Sequence, residues 1–205
     1  QYSITAIGSV ILQSAVNTLG SDAVASVTAA SKISMFIVCP FDSMGATMAT
    51  YGGQNAGGYK LDRLHKGLGS CIILGAVYSV IGLLIIAAFG PHLLKLFVSG
   101  SETGILADAQ HFLLINGLFY FPLALVNIVR FMIQGMGFGF FAIIAGVLEM
   151  AARTLVGAVF VPIFGYNAAC FASPLAWIFA DCFLIPAYFV VWNRMKRHKE
   201  AYRQV

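Results

Sequence analysis

The chain has 205 residues, of which 60 % are hydrophobic and only 10 % charged, and its mean hydropathy is +0.87. Soluble domains carry about 25 % charged residues, so a soluble fold is excluded and the apolar runs read as membrane spans. The net charge of +4 sits in the flanks of those runs. No basic face interleaved with aromatics exists elsewhere, so no nucleic-acid partner is expected.

Crossing the hydrocarbon layer takes roughly 20 mostly apolar residues. The first run covers about residues 2–19 and carries Gln13 and Asn17, four apart on one face. The second, about residues 24–51, holds Lys32 in one half and Asp42 two residues after Pro40. It closes on "ATYGGQNAGG", in which Gly53 and Gly57 are spaced for a GxxxG helix contact and Gln54-Asn55 stand between the glycines. The third run is about residues 68–89 and the fourth about 105–133, with Arg130 just before Gln134. Arg130 is close enough to its helix end to snorkel to the interface. The fifth run, about residues 138–164, contains Glu149 and Arg153, and the sixth, about 168–192, contains Asp181 between Pro174 and Pro186. Small residues are frequent throughout, as suits helices that approach closely in lipid. β-Barrel strands would alternate over about 10 residues, and these runs do not. The reading is all-α, an integral membrane bundle of six helices forming one domain over residues 1–205. The chain opens on Gln1 with no signal peptide before the first run, and it is read as a fragment or a processed piece.

Lys60, Arg63 and Lys66 occupy the connection after the second run. Arg194, Lys196, Arg197, Lys199 and Arg203 follow the sixth. The other connections hold little or no positive charge. The positive-inside rule then places the loop at residues 58–67 and the C-terminal tail on the cytoplasmic side.

A charge in the bilayer centre costs at least ~2.5–3.5 kcal/mol on insertion scales, so span acids face a partner or a wet cavity. Glu149 and Arg153 lie on one helical face and can pair. A structural ion pair and a cation or proton site tuned by Arg153 both fit. Asp42 follows a proline that frees the Phe36 carbonyl; a hydrogen-bonded acid at a kink and an ion-coupling site both fit. A contact to another helix would explain Asp181. Lys32 either lines a cavity or pairs with an acid. Gln13 and Asn17 either line that cavity or stitch helices. Cys39, Cys71, Cys170 and Cys182 read as small buried hydrophobes. His65, His92, His111 and His198 lack metal-ligand spacing and read as solvated or interfacial. "GMGFGF" after the fourth run reads as a tight turn, not a nucleotide loop. No nucleophile–base set is visible, so no enzyme and no organic or metal cofactor is expected.

The ordered set "QSAVNTLGSDAVASVTAASKI", "CPFDSMGATMATYGGQNAGG", "FMIQGMG" and "GVLEMAARTLVGAVFVPIFG" resembles the second half of a multidrug and toxic compound extrusion (MATE) transporter. The resemblance covers Gln1 to about Arg197. It implies one six-helix lobe of a twelve-helix, two-lobe antiporter of the plasma (inner) membrane, whose partners are the first lobe of the same protein, the bilayer and a small-molecule substrate. It implies export of organic cations or amphipathic compounds in exchange for Na⁺ or H⁺. The superfamily also contains flippases of lipid-linked oligosaccharides and peptidoglycan precursors, the alternative; the balanced span charges here disfavour a phosphate-bearing cargo. Some members carry acids in the seventh and tenth helices as a cation site. The matching positions here are Thr5 and Leu123, which speaks against an Na⁺ site of that kind. Coupling, if in this half, then falls to Asp42, Glu149 or Asp181.

Overall fold

The structure, a computed structural model, describes the backbone of residues 2–202 and the side chains of residues 4–197; Arg203 of the expected basic tail lies outside the described residues. The chain folds into helices α1 (Tyr2–Asn17), α2 (Ser21–Gly57), α3 (Leu61–Leu94), α4 (Thr103–Leu118), α5 (Tyr120–Gly135), α6 (Gly139–Leu155), α7 (Val161–Phe164) and α8 (Tyr166–Tyr202), with a π-helical turn at Val156–Phe160 joining α6 to α7. In lipid every backbone polar group must be satisfied within the segment, which leaves helices as the answer for sequences of this pattern. The all-helical membrane bundle read from the sequence is what forms.

The runs and the helices differ in detail. Four helical rods are long and apolar enough to cross a membrane, and α4–α5, bent by 52°, makes a fifth if the pair is one span. The apolar part of α1, Ile4–Asn17, is shorter than the others. The bend at Phe119 has a cause in Pro122, which offers no N–H to the Leu118 carbonyl and crowds it. The π turn likewise sits just before Pro162, where the normal bonding register fails. Helices α2 and α3 outrun their apolar segments at the end where they meet, because helical bonding continues beyond lipid. Only Gly58, Tyr59 and Lys60 separate them, and Tyr59 takes the left-handed conformation at φ 50°.

Packing divides the bundle into two groups. Helices α2, α3, α4 and α5 pack on one another, and α1, α6, the π turn and α8 form the second set; α5 bridges to α6 and α8, while α1 touches α2 only lightly. The closest approach is between α2 and α5. Gly135 lies so near the Ala49 carbonyl that no Cβ fits, and a Cβ on Gly52 would stand 3.0 Å from the Met132 oxygen. The expected Gly53/Gly57 pair is corrected accordingly: Gly57 has open space around it, and it is Gly52 and Gly53 that face α5. One proline break is covered by a neighbouring helix. Pro174 frees the Cys170 carbonyl, which accepts a bond of 3.3 Å from Asn116 Nδ2 of α4. Beside Pro40, the Tyr78 hydroxyl donates to the Ile37 carbonyl at 3.0 Å.

The two basic segments share one end of the bundle. His65 stacks near Trp192 with ring centres 5.3 Å apart, Arg194 lies over the Phe138 ring, and Met195 shares a recess with Gly57 and Tyr59. "GMGFGF" is the tight turn expected, with Gly137 at φ 94°.

Candidate functional site

Two groups of polar side chains interrupt this apolar bundle. The first is sealed inside it. Glu149 of α6 is 3 % exposed and Arg130 of α5 is 5 % exposed, and the two form a salt bridge. The other Glu149 oxygen pairs with Arg153 Nη1, one turn along α6, at 3.4 Å. Asp181 of α8 is also buried and is acted on by the Arg130 charge. Glu149 and the two arginines thus form a buried charged cluster joining α5 and α6, and Asp181 of α8 lies near it with one carboxyl oxygen that has no hydrogen-bond partner among the described residues. This arrangement offsets the burial of the Glu149 charge, and it ties α5 to the second helix group.

The second group lies on the open side. Along α2, Thr28, Lys32, Cys39, Asp42, Ser43, Thr47, Thr50, Gln54 and Gly57 are exposed, recurring at helical spacing. Three hydroxyls satisfy themselves on their own helix: Ser43 donates to the Cys39 carbonyl at 3.1 Å, Thr47 to Ser43 at 2.8 Å and Thr50 to Ala46 at 3.3 Å. Asp42 is exposed, and among the described residues no cation forms a salt bridge with it. On α1, Gln13 Nε2 donates to Asn17 Oδ1 at 3.2 Å, and both residues are exposed. They stitch each other rather than a second helix. Lys32 sits with its ammonium 5.4 Å from the Phe97 ring centre, beside Ser99 and Glu102 at the far end of the bundle. Met35 and Phe36 are exposed on this same face of α2, and the outward face of α3 is apolar throughout its middle, with Ile73, Leu74, Val77, Val80, Ile81, Leu84 and Ile85.

The remaining expected residues separate. Asn55 is buried and donates to the Tyr51 carbonyl at 2.9 Å, whereas Gln54 and Gln134 are exposed at the basic end. Thr5 is half-buried and Leu123 is buried. Cys71 and Cys170 are buried free thiols as expected, but Cys39 and Cys182 face outward. Among the described residues no His/Cys/Asp/Glu group could hold a metal ion.

A sequence model of the MatE family matches residues 1–163, most of the chain. The chain belongs to the MatE family. No curated protein matches it. Among solved structures it is similar to an outward-facing multidrug-resistance MATE transporter of the MOP superfamily, at 20 % identity and TM-score 0.83, covering 95 % of this chain and 43 % of that one. A MATE protein in a bent conformation matches at 20 % identity and TM-score 0.81, over 98 % of this chain and 44 % of that one. A MOP superfamily transporter from Pyrococcus furiosus Vc1, whose binding pocket of reverse polarity suggests a different function for that protein, matches at 18 % identity and TM-score 0.77, over 89 % and 40 %. The chain therefore spans about two-fifths of the length of the structures it matches.

This MATE chain is thus a multi-pass membrane protein of a transporter family. Sequence reasoning placed Glu149, Arg153 and Asp181 but misplaced Arg130. Its long side chain turns inward to Glu149 instead of snorkelling, so that the buried carboxylate is not left as an uncompensated charge. The signal available was the charge balance itself: Glu149 and Asp181 are two mid-span acids, and Arg153 alone neutralises only one.

Proposed function

We propose that the chain is the second lobe of a MATE antiporter of the plasma membrane, exporting organic cations or amphipathic compounds in exchange for H⁺ or Na⁺. Its basic loop and tail then face the cytoplasm, and the first lobe of the same protein covers the α1–α2 face. The observation that carries the reading is the contrast between the acids. Glu149 is clamped between two arginines, while Asp42 stands on the exposed polar stripe of α2 with no cation bonded to it among the described residues. A carboxylate on a wet face beside a proline break can gain and lose a proton or Na⁺ as the cavity opens and closes. Asp42 is accordingly the coupling acid, with Gln13, Asn17 and Lys32 on the substrate face. Glu149, Arg153 and Asp181 hold the lobe together.

The test uses the full-length transporter in vesicles. Efflux of a cationic dye is followed against an imposed pH or Na⁺ gradient at matched protein levels. Asp42→Asn should reduce gradient-driven efflux at least tenfold. Full gradient dependence in Asp42→Asn would move coupling out of this site.

A further inference from the structure

On the membrane-facing side, remote from the α1–α2 stripe, a crevice of about 320 Å³ opens between α3, α5 and α8 near the basic end. This lies at the lower end of the ~300–1,000 Å³ of small-molecule pockets. Leu68 and Ile72 of α3, Leu125 and Val129 of α5, and Ile185 and Phe189 of α8 line it. Its mouth stays open at Gly69, where an added Cβ would meet nothing within 4 Å.

Two features show that the crevice is more than a gap between helices. Tyr188 lines it and is 3 % exposed, yet its hydroxyl oxygen is buried with no hydrogen-bond partner among the described residues. Native structures seldom leave such a group unsatisfied unless something else supplies the partner. Tyr188 also belongs to an aromatic set with His65 and Trp192, whose ring centres lie 6.4 Å and 6.3 Å from its own. Beyond these rings the charges begin. One turn past Trp192 on the same face of α8 comes the exposed Lys196, and beside His65 on α3 come the exposed Lys66 and, opposing it, Asp62. Lys60 and Arg63 add further positive charge at this end. The order is apolar trough, polar-tipped aromatics, then a rim of net positive charge.

We propose that this crevice binds one anionic phospholipid from the leaflet at the basic end. An acyl chain occupies the trough over Gly69, a turn of the Tyr188 side chain carries its buried hydroxyl to the glycerol ester or phosphate, which accepts the hydrogen bond, and the headgroup charge meets Lys66 and Lys196. The depth order of the groups matches that of a lipid, whose tail, ester and phosphate follow one another toward water. A soluble anion would leave the apolar trough empty, and a neutral lipid would leave the lysines unused.

The full-length transporter is purified in mild detergent and incubated with phosphatidylglycerol or phosphatidylcholine of matched chains. Bound lipids are counted by native mass spectrometry. The wild type should retain one phosphatidylglycerol at several-fold higher occupancy than phosphatidylcholine. Gly69→Phe should lose that lipid, and Val77→Phe, equal bulk on the neighbouring lipid face, should keep it. Tyr188→Phe should lower occupancy several-fold for both lipids, and Lys66→Gln with Lys196→Gln should remove the preference while leaving binding of either lipid. Equal retention of both lipids by the wild type would mean an annular lipid only, and would overturn the proposal. So would unchanged phosphatidylglycerol retention in Gly69→Phe with a wild-type melting temperature. Should Gly69→Phe not fold, Tyr188→Phe and the double lysine variant decide, since neither adds bulk: unchanged occupancy and preference in both overturns the site.

Discussion

Glu149 and Asp42 are both carboxylates within apolar spans, yet α6 turns one into the bundle against two arginines and α2 turns the other outward with none. The difference is set by neighbours rather than by the residue. On α6 the same face carries Arg153 one turn on, and Arg130 arrives from α5. On α2 the same face carries hydroxyls that bond their own helix. A carboxylate clamped between two arginines is held ionised and resists taking up a proton. An acid with no fixed counter-charge is the one whose occupancy changes with its surroundings.

Breaking the cluster should produce the largest effect. Glu149→Gln takes away the carboxylate that both buried guanidiniums pair with, and removing one partner of a buried pair costs about 3–5 kcal/mol. Thermal melting of the detergent-solubilised full-length protein should fall sharply, with poor yield of folded protein. The combined variant Arg130→Met, Glu149→Leu, Arg153→Met, Asp181→Leu should recover most of that loss, because a matched apolar set needs no counter-charge. If the combined variant melts as low as Glu149→Gln, packing rather than charge is what Glu149 supplies. Asp181→Asn should cost less, about 1–3 kcal/mol, since Arg130 keeps Glu149; melting measured beside Glu149→Gln gives the ratio.

The open stripe is tested by solvent rather than stability. Single cysteines at Thr50 and Leu74, in a background without the native thiols, should react very differently with a membrane-impermeant maleimide. Thr50→Cys should label at least tenfold faster than Leu74→Cys on the lipid-facing surface of α3. Equal rates would show that the two exposed faces meet the same medium. The smallest expected stability change is that of Asp42→Asn, within about 0.5 kcal/mol, read by the same melting assay. A loss comparable to Glu149→Gln would mean that Asp42 is as built-in as its counterpart.

Much of this contrast was legible in the sequence. The Glu149–Arg153 pair follows from a spacing of four within one helix, and the helical character of every run follows from its length and lack of alternation. The outward face of α2 was not read from the sequence, because Met35 and Phe36 fall in register with Lys32, Asp42 and the hydroxyls and blur the polar periodicity. Arg130 was not legible in the same way. Depth along a helix is read from distance to its end, and by that measure Arg130 belongs at the interface. Its true environment comes from α6, whose position relative to α5 no local pattern encodes. The same limit explains the glycines. Spacing within α2 favoured Gly53 with Gly57, but the carbonyl of Ala49 meeting Gly135 is a relation between two chain segments, and it selects Gly52 and Gly53 instead. Nor does a single sequence show that the Tyr188 hydroxyl is buried with no hydrogen-bond partner among the described residues.

The near-contact of Gly135 with the Ala49 carbonyl has a mechanical meaning. Two backbones meshed this tightly cannot slide or roll past one another without collision, so α2 and α5 behave as one beam. Arg130, riding on that beam, is bolted electrostatically to α6, and with α6 comes α8. The lobe is therefore stiff across its width. Helix α1 is meshed in turn with α6, where a Cβ on Gly8 would stand 3.0 Å from Met150 Cα, and it meets α2 only lightly. A force applied to the open face would therefore be carried through the beam as a unit, and the light contact between α1 and α2 is the seam across which the two helix groups meet least.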